Sequence, residues 1–252
     1  MFSTDPADTS SPSRGSQSIQ PATTPRTGRR IAVDGVLGGL VLPLIGFAVA
    51  DLINPGWSPA ESMISHYVHA PHGGWLVPLG TLSIAVASGT LTWLAAAYTR
   101  GGRAGLALLG VWTAGLLVAG VFPTDPPGQW DQPPTMAGTL HGVAALLAFT
   151  ALPAAAVVLS RVWRRDPGWR PVAGGLAVAA ALSVAAFVPF IVTFFDVMGG
   201  PSLAVGAWPT VTGLAERVMV WAHVAWLVVA AVGLRPRQAP RAAPAVSRPS
   251  NV

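Results

Sequence analysis

The stretch Gly138–Ser160, GTLHGVAALLAFTALPAAAVVLS, holds one histidine and no aspartate, glutamate, lysine or arginine. It is longer than the roughly 20 apolar residues that a helix needs to cross a hydrocarbon core about 30 Å thick. Five further runs are predominantly apolar and approach or exceed that length, at residues 31–53, 74–98, 105–123, 171–195 and 212–234. Backbone groups in lipid must be bonded within their own segment, so each run is expected to be a helix. The fold expected is therefore all-α, a polytopic bundle of six transmembrane helices over residues 31–234. Pro43, Pro78, Pro153 and Pro189 lie inside these runs and are expected to bend them. Abundant Gly and Ala let such helices approach closely.

Composition agrees. Hydrophobic residues make up 52% and charged residues 10% of the chain, too few charges for a water-facing surface. Mean hydropathy is +0.54. Residues 1–30 and 235–252 are Ser-, Thr-, Pro- and Arg-rich, and are expected to be disordered cytoplasmic tails without a cleavable signal peptide. There is no cysteine, which excludes disulfides, thiolate metal sites and cysteine nucleophiles. Lysine is absent too, and with the Ala, Gly and Pro content this is the composition of a GC-rich bacterial genome.

The formal charge of +5 does not point to nucleic acid, because the arginines sit in tails and short connections. Arg26, Arg29 and Arg30 precede the first run, Arg100 and Arg103 lie between the second and third, and Arg161, Arg164, Arg165 and Arg170 between the fourth and fifth. The other connections lack arginine until Arg217, at the start of the sixth run. The positive-inside rule then places both termini in the cytoplasm, N-in and C-in, in a bacterial plasma membrane. Trp57, Trp75, Trp130, Trp163, Trp169 and Trp208 fall near run ends, where an interfacial aromatic belt is expected.

Most acids and histidines fall on the opposite, outer side. In the first outer connection, Ser58, Pro59 and Glu61 form an S-x-x-E capping box, which predicts a short interfacial helix from Pro59 to near Pro71. Glu61 and Ser65 lie one turn apart on it, and His66, His69 and His72 form the one histidine cluster. Imidazoles suit metal or acid–base work, and equally suit capping and headgroup contacts. Asp125, in the proline-rich second outer connection, fits a turn cap or a partner for the first loop. His141 lies a turn and a half inside the fourth run. Glu216 and His223, seven residues apart in the sixth run, share a helical face, with Arg217 beside the first. Ionisable groups at such depth serve function or fix helix packing. Asp51 and Asp196 lie near outer ends and are candidates to complete one outward-facing polar pocket with these groups.

Three segments carry a family resemblance: Glu61–His69 (ESMISHYVH), Gly120–Pro126 (GVFPTDP) and Gly138–Gly142 (GTLHG). Together they resemble the domain of unknown function 998 family of bacterial six-helix membrane proteins, over most of residues 31–234. The resemblance implies the six-helix fold and marks Ser65, His66, Phe122, Pro123, Asp125 and His141 as characteristic positions. It implies no activity.

Three functions remain open from the residues. In the first, the outer pocket binds or transports a small molecule or lipid; Glu216 and His223 titrate, Arg217 pairs charge, and His66, Asp125 and His141 gate, with Asp51, Glu61 and His69 as further ligand or proton groups. In the second, the protein is an extracytoplasmic hydrolase. Ser65 is then the candidate nucleophile, and His66, His141 and Asp125 bind a metal or act as acid and base. The third is a membrane scaffold. No phosphate-cradling loop, H-E-x-x-H helix or nucleophile elbow is present. The sequence firmly implies no cofactor and sets no oligomeric state; the lipid bilayer is the one assured partner.

Overall fold

The computed structural model of the chain describes residues 24–129, 132–200 and 202–235. It contains six membrane-length helices: α1 (Thr24–Ile53), α2 (Leu76–Tyr98), α3 (Arg103–Val121), α4 (Met136–Trp163), α5 (Arg170–Met198) and α6 (Thr212–Gly233). Among the described residues there is no strand beyond one isolated bridge, Val205–Trp208. Consecutive helices run antiparallel and pack on their neighbours, and α6 closes the bundle against α1. The chain is a six-helix, multi-pass membrane protein. Its outer surface is apolar, with Val86, Trp93, Val188 and Val192 exposed as lipid contact requires. Trp130 and most of the expected tails lie outside the described residues, but α1 begins at Thr24, ahead of the apolar run from 31, with Pro25 in its first turn.

The two ends of the bundle differ in charge. Arg29, Arg30, Arg100, Arg103, Arg161, Arg164, Arg165, Arg170 and Arg235 all lie at one end. There Arg235 pairs with Asp34 at 2.7 Å and the Arg29 guanidinium sits 4.7 Å from the Tyr98 ring centre. Arg217 alone among the described arginines lies at the other end, with the histidine-bearing connections.

At three of the prolines that deprive a carbonyl four residues earlier of its helical donor, a side chain from another helix supplies one. Pro43 frees the Gly39 carbonyl, which accepts from Ser83 Oγ of α2 at 3.1 Å. Pro153 frees Phe149, whose carbonyl accepts from His223 Nε2 of α6 at 3.3 Å. Pro123, just past α3, frees Ala119, which accepts from His141 Nδ1 of α4 at 2.9 Å. The breaks in the helices are thus also the polar joints between them.

Two expectations need correction. Trp163 and Trp169 are not part of an interfacial belt: they are 0% and 3% exposed, stacked at 4.1 Å between centroids. Gly233 makes room, since a Cβ there would stand 2.3 Å from the Trp169 ring. Trp75 and Trp208 do lie exposed. The helix expected from Pro59 to Pro71 is instead a turn followed by a 3-10 helix, Ile64–His69. Its carbonyls are taken by α6: Ala60 accepts from Leu214 N at 3.0 Å, and Pro59 and Ser62 from Arg217 Nη1 at 2.8 and 2.7 Å. Tertiary partners outcompete the capping box.

Candidate functional site

At the histidine end the helices enclose a chamber of about 830 Å³. This lies within the roughly 300–1,000 Å³ typical of small-molecule pockets. The floor is aromatic: Phe149 of α4 meets Phe190 of α5 edge-on at 5.4 Å, with Trp112 of α3 6.2 Å from Phe149. Phe149 lies roughly 20 Å along α4 from its start at 1.5 Å per residue, so the floor is near mid-membrane. Phe47, Leu116, Leu146 and Phe194 form walls, and Ser65, His66, Thr124, Asp125, Thr139 and His141 bring polar groups to the mouth.

The mouth is assembled from the three segments that carry the family resemblance. His69 Nε2–H donates to the Thr124 carbonyl at 2.7 Å, joining the 3-10 helix to the second connection. Asp125 accepts from Thr135 N at 3.1 Å and Thr135 Oγ1 at 2.5 Å, so its carboxylate sits on the N-terminus of α4. Thr135 Oγ1 in turn caps Gly138 N at 3.0 Å. Gly138 has to be glycine here, because a Cβ would stand 2.0 Å from Asp125 Oδ2. One turn on, His141 Nδ1 meets the carbonyls of Ala119 and Phe122, both at 2.9 Å. Carbonyls only accept, so Nδ1 carries a proton, and in the neutral imidazole Nε2 is then the acceptor.

His66 is 5% exposed. Burial, then the neighbouring His69 and His141, lower its pKa from 6.5 to about 4. The unfolded chain therefore takes up a proton in a range where the folded one refuses it. Its neutral form contributes stability in full above pH 6.5, and this is lost as pH falls towards about 4. The difference is about 3 kcal/mol. Melting temperature in detergent is expected to drop across that window, and more shallowly in His66→Asn.

Beside the mouth lies a second polar cluster. Arg217 donates Nε to Asp51 Oδ2 at 3.1 Å and Nη2 to Asp51 Oδ1 at 2.6 Å. Its Nη1 also contacts the Gly213 carbonyl at 3.0 Å, and its guanidinium lies 5.3 Å from the Tyr67 ring centre. Buried Glu216 accepts from Ile64 N, the first residue of the 3-10 helix. Gly213 permits the close approach, since a Cβ would lie 2.4 Å from the Ser62 carbonyl. The cluster fastens the 3-10 helix to α1 and α6.

Of the expected residues, Ser65, His66, Asp125, His141 and Glu216 line the chamber. Asp51 and Arg217 stand behind it, Glu61 is outside its lining, and His69 acts as a strut. His223 lies beneath the floor, 6.4 Å from the Phe149 ring, with Nδ1 accepting from Ser183 Oγ at 3.0 Å. Asp196 does not join the pocket; its carboxylate binds Ser202 and Leu203 of its own connection. The expected metal set of His66, His141 and Asp125 does not assemble: among the described residues no three His, Asp or Glu side chains could hold a metal ion. The aromatic floor escaped sequence reading, although Pro153 marks Phe149 four residues ahead of it.

No curated protein and no solved structure matches the chain. A family model does, over residues 36–233, which take in α1 from residue 36 onward, the other five helices whole and all three segments at the mouth. The chain belongs to the family described as Protein of unknown function (DUF998).

Proposed function

We propose that this protein binds an amphiphile or lipid chain in the chamber, in a bacterial plasma membrane with the arginine end cytoplasmic. The observation that carries the reading is that residues of α4 and α5 which line the chamber are also exposed, as a side opening requires. On α4, Leu140 and Leu147 face outward, and Val143 between them is 57% exposed yet also lines the chamber. On α5, Phe195 and Met198 do the same at 60% and 57%. Between these residues an apolar molecule passes from bilayer to chamber without crossing water. Largely apolar walls with a few polar groups at one end suit a molecule built the same way.

The hydrolase reading fares worse. Asp125 is spent on Thr135 and His141 Nδ1 on two carbonyls, so the two form no acid–base relay with each other.

Gly142 supplies the test, because it lines the chamber and a Cβ there meets nothing within 4 Å. Gly142→Leu is expected to fill the space without disturbing the fold, and to raise helix stability slightly. Lipid extracted from protein purified in mild detergent is expected to fall about tenfold per mole in this variant. Equal lipid in a variant of unchanged melting temperature would sink the reading. Orientation is tested separately. In this cysteine-free chain, exposed Gln129→Cys is expected to react with an impermeant maleimide from outside intact cells.

A further inference from the structure

The polar groups around the chamber differ in what they have left to offer a ligand. The N-termini of α2, α4 and α6 all point to this end, and helix N-termini ordinarily hold anions. At α4 the protein has supplied an anion of its own: Asp125 occupies that N-terminus, pressed against Gly138. Buried Glu216 takes the N–H of Ile64. Arg217, the cation at this end among the described residues, is committed to Asp51 and to three carbonyls. It does not line the chamber. His66 adds no charge near neutrality, its pKa being lowered to about 4. A phosphate or carboxylate headgroup entering here meets the Asp125 carboxylate and no uncommitted guanidinium.

The mouth instead offers an acceptor. Because His141 donates its Nδ1–H to the Ala119 and Phe122 carbonyls, the neutral ring has its lone pair on Nε2, on a side chain that lines the chamber. We infer that the ligand is a membrane amphiphile whose head carries a hydrogen-bond donor and no negative charge, an alcohol or an amine, received by His141 Nε2. This rests on the chamber being an amphiphile site.

Three probes with one tail and different heads test it: 1-dodecanol, dodecylamine and dodecyl phosphate, each titrated into nanodisc-embedded protein and counted by native mass spectrometry. The alcohol and the amine are expected to half-saturate at a concentration about tenfold or more below the phosphate. His141→Asn keeps a donor near the Nδ1 position and lacks Nε2, so it is expected to erase most of the alcohol's advantage. Gly142→Leu is expected to abolish binding of both. If the phosphate binds as tightly as the alcohol and Gly142→Leu still blocks it, the headgroup inference is wrong and the chamber reading stands. If none of the three binds, the chamber reading falls and takes the inference with it.

Discussion

Arg217→Ala is expected to destabilise the protein by about 3–5 kcal/mol, the usual loss when one partner of a buried ion pair is removed. The pair is sheltered, with side-chain exposures of 12% for Arg217 and 20% for Asp51. The substitution leaves the Asp51 carboxylate alone, and the carbonyls of Pro59 and Ser62 without their guanidinium donor. Arg217→Lys keeps the charge but not the planar fork, so it is expected to recover only part of the loss. Asp51→Leu/Arg217→Met removes both charges and is expected to cost less than the sum of its single changes. Melting curves in one detergent decide it. Additive losses would show that the pair is not coupled. The 3-10 helix that Arg217 holds brings Ser65 and His66 to the mouth, so the same loss should loosen the chamber.

The second large effect concerns His223, which is 0% exposed at mid-helix. Its Nε2–H bonds to the Phe149 carbonyl and its Nδ1 accepts from Ser183. His223→Leu orphans the carbonyl and the hydroxyl, at about 1–3 kcal/mol for each buried group. The structure offers a specific rescue. Pro153→Ala restores a backbone N–H four residues after Phe149, so α4 can bond its own carbonyl. The double variant is therefore expected to melt above His223→Leu alone. Losses that merely add would mean that His223 stabilises the bundle by packing against Trp112 and Phe149, not by answering the proline.

The six helices were legible because a predominantly apolar run about as long as the bilayer is thick has few alternatives, and the arginines marked which run ends share one end of the bundle. Local signals were weaker wherever a distant element competed for the same backbone groups. The Ser58–Glu61 capping box was overridden because α6 takes the carbonyls of Pro59, Ala60 and Ser62. Trp163 and Trp169 had the spacing of belt residues, yet Gly233 opens a slot that draws them inward. Depth alone grouped Asp125, His141, Glu216 and His223, but depth carries no information on partners. The partners show two of them as wall residues with committed bonds, one as a cap beneath the floor, and His141 as a cap with one nitrogen to spare. Pro43, Pro123 and Pro153 were the most underused signal, since each names a carbonyl that another helix satisfies.

The central claim is that an amphiphile's chain occupies the space above Phe149 and Phe190. The most direct measurement is to photolabel nanodisc-embedded protein with a long-chain alcohol bearing a diazirine on its tail, and to map the attachment sites by peptide mass spectrometry. The account predicts labels on Leu146, Phe149, Phe190 and Phe194, lost in Gly142→Leu. Labels confined to lipid-facing residues such as Val86, Trp93 and Val188, unchanged in that variant, would contradict it.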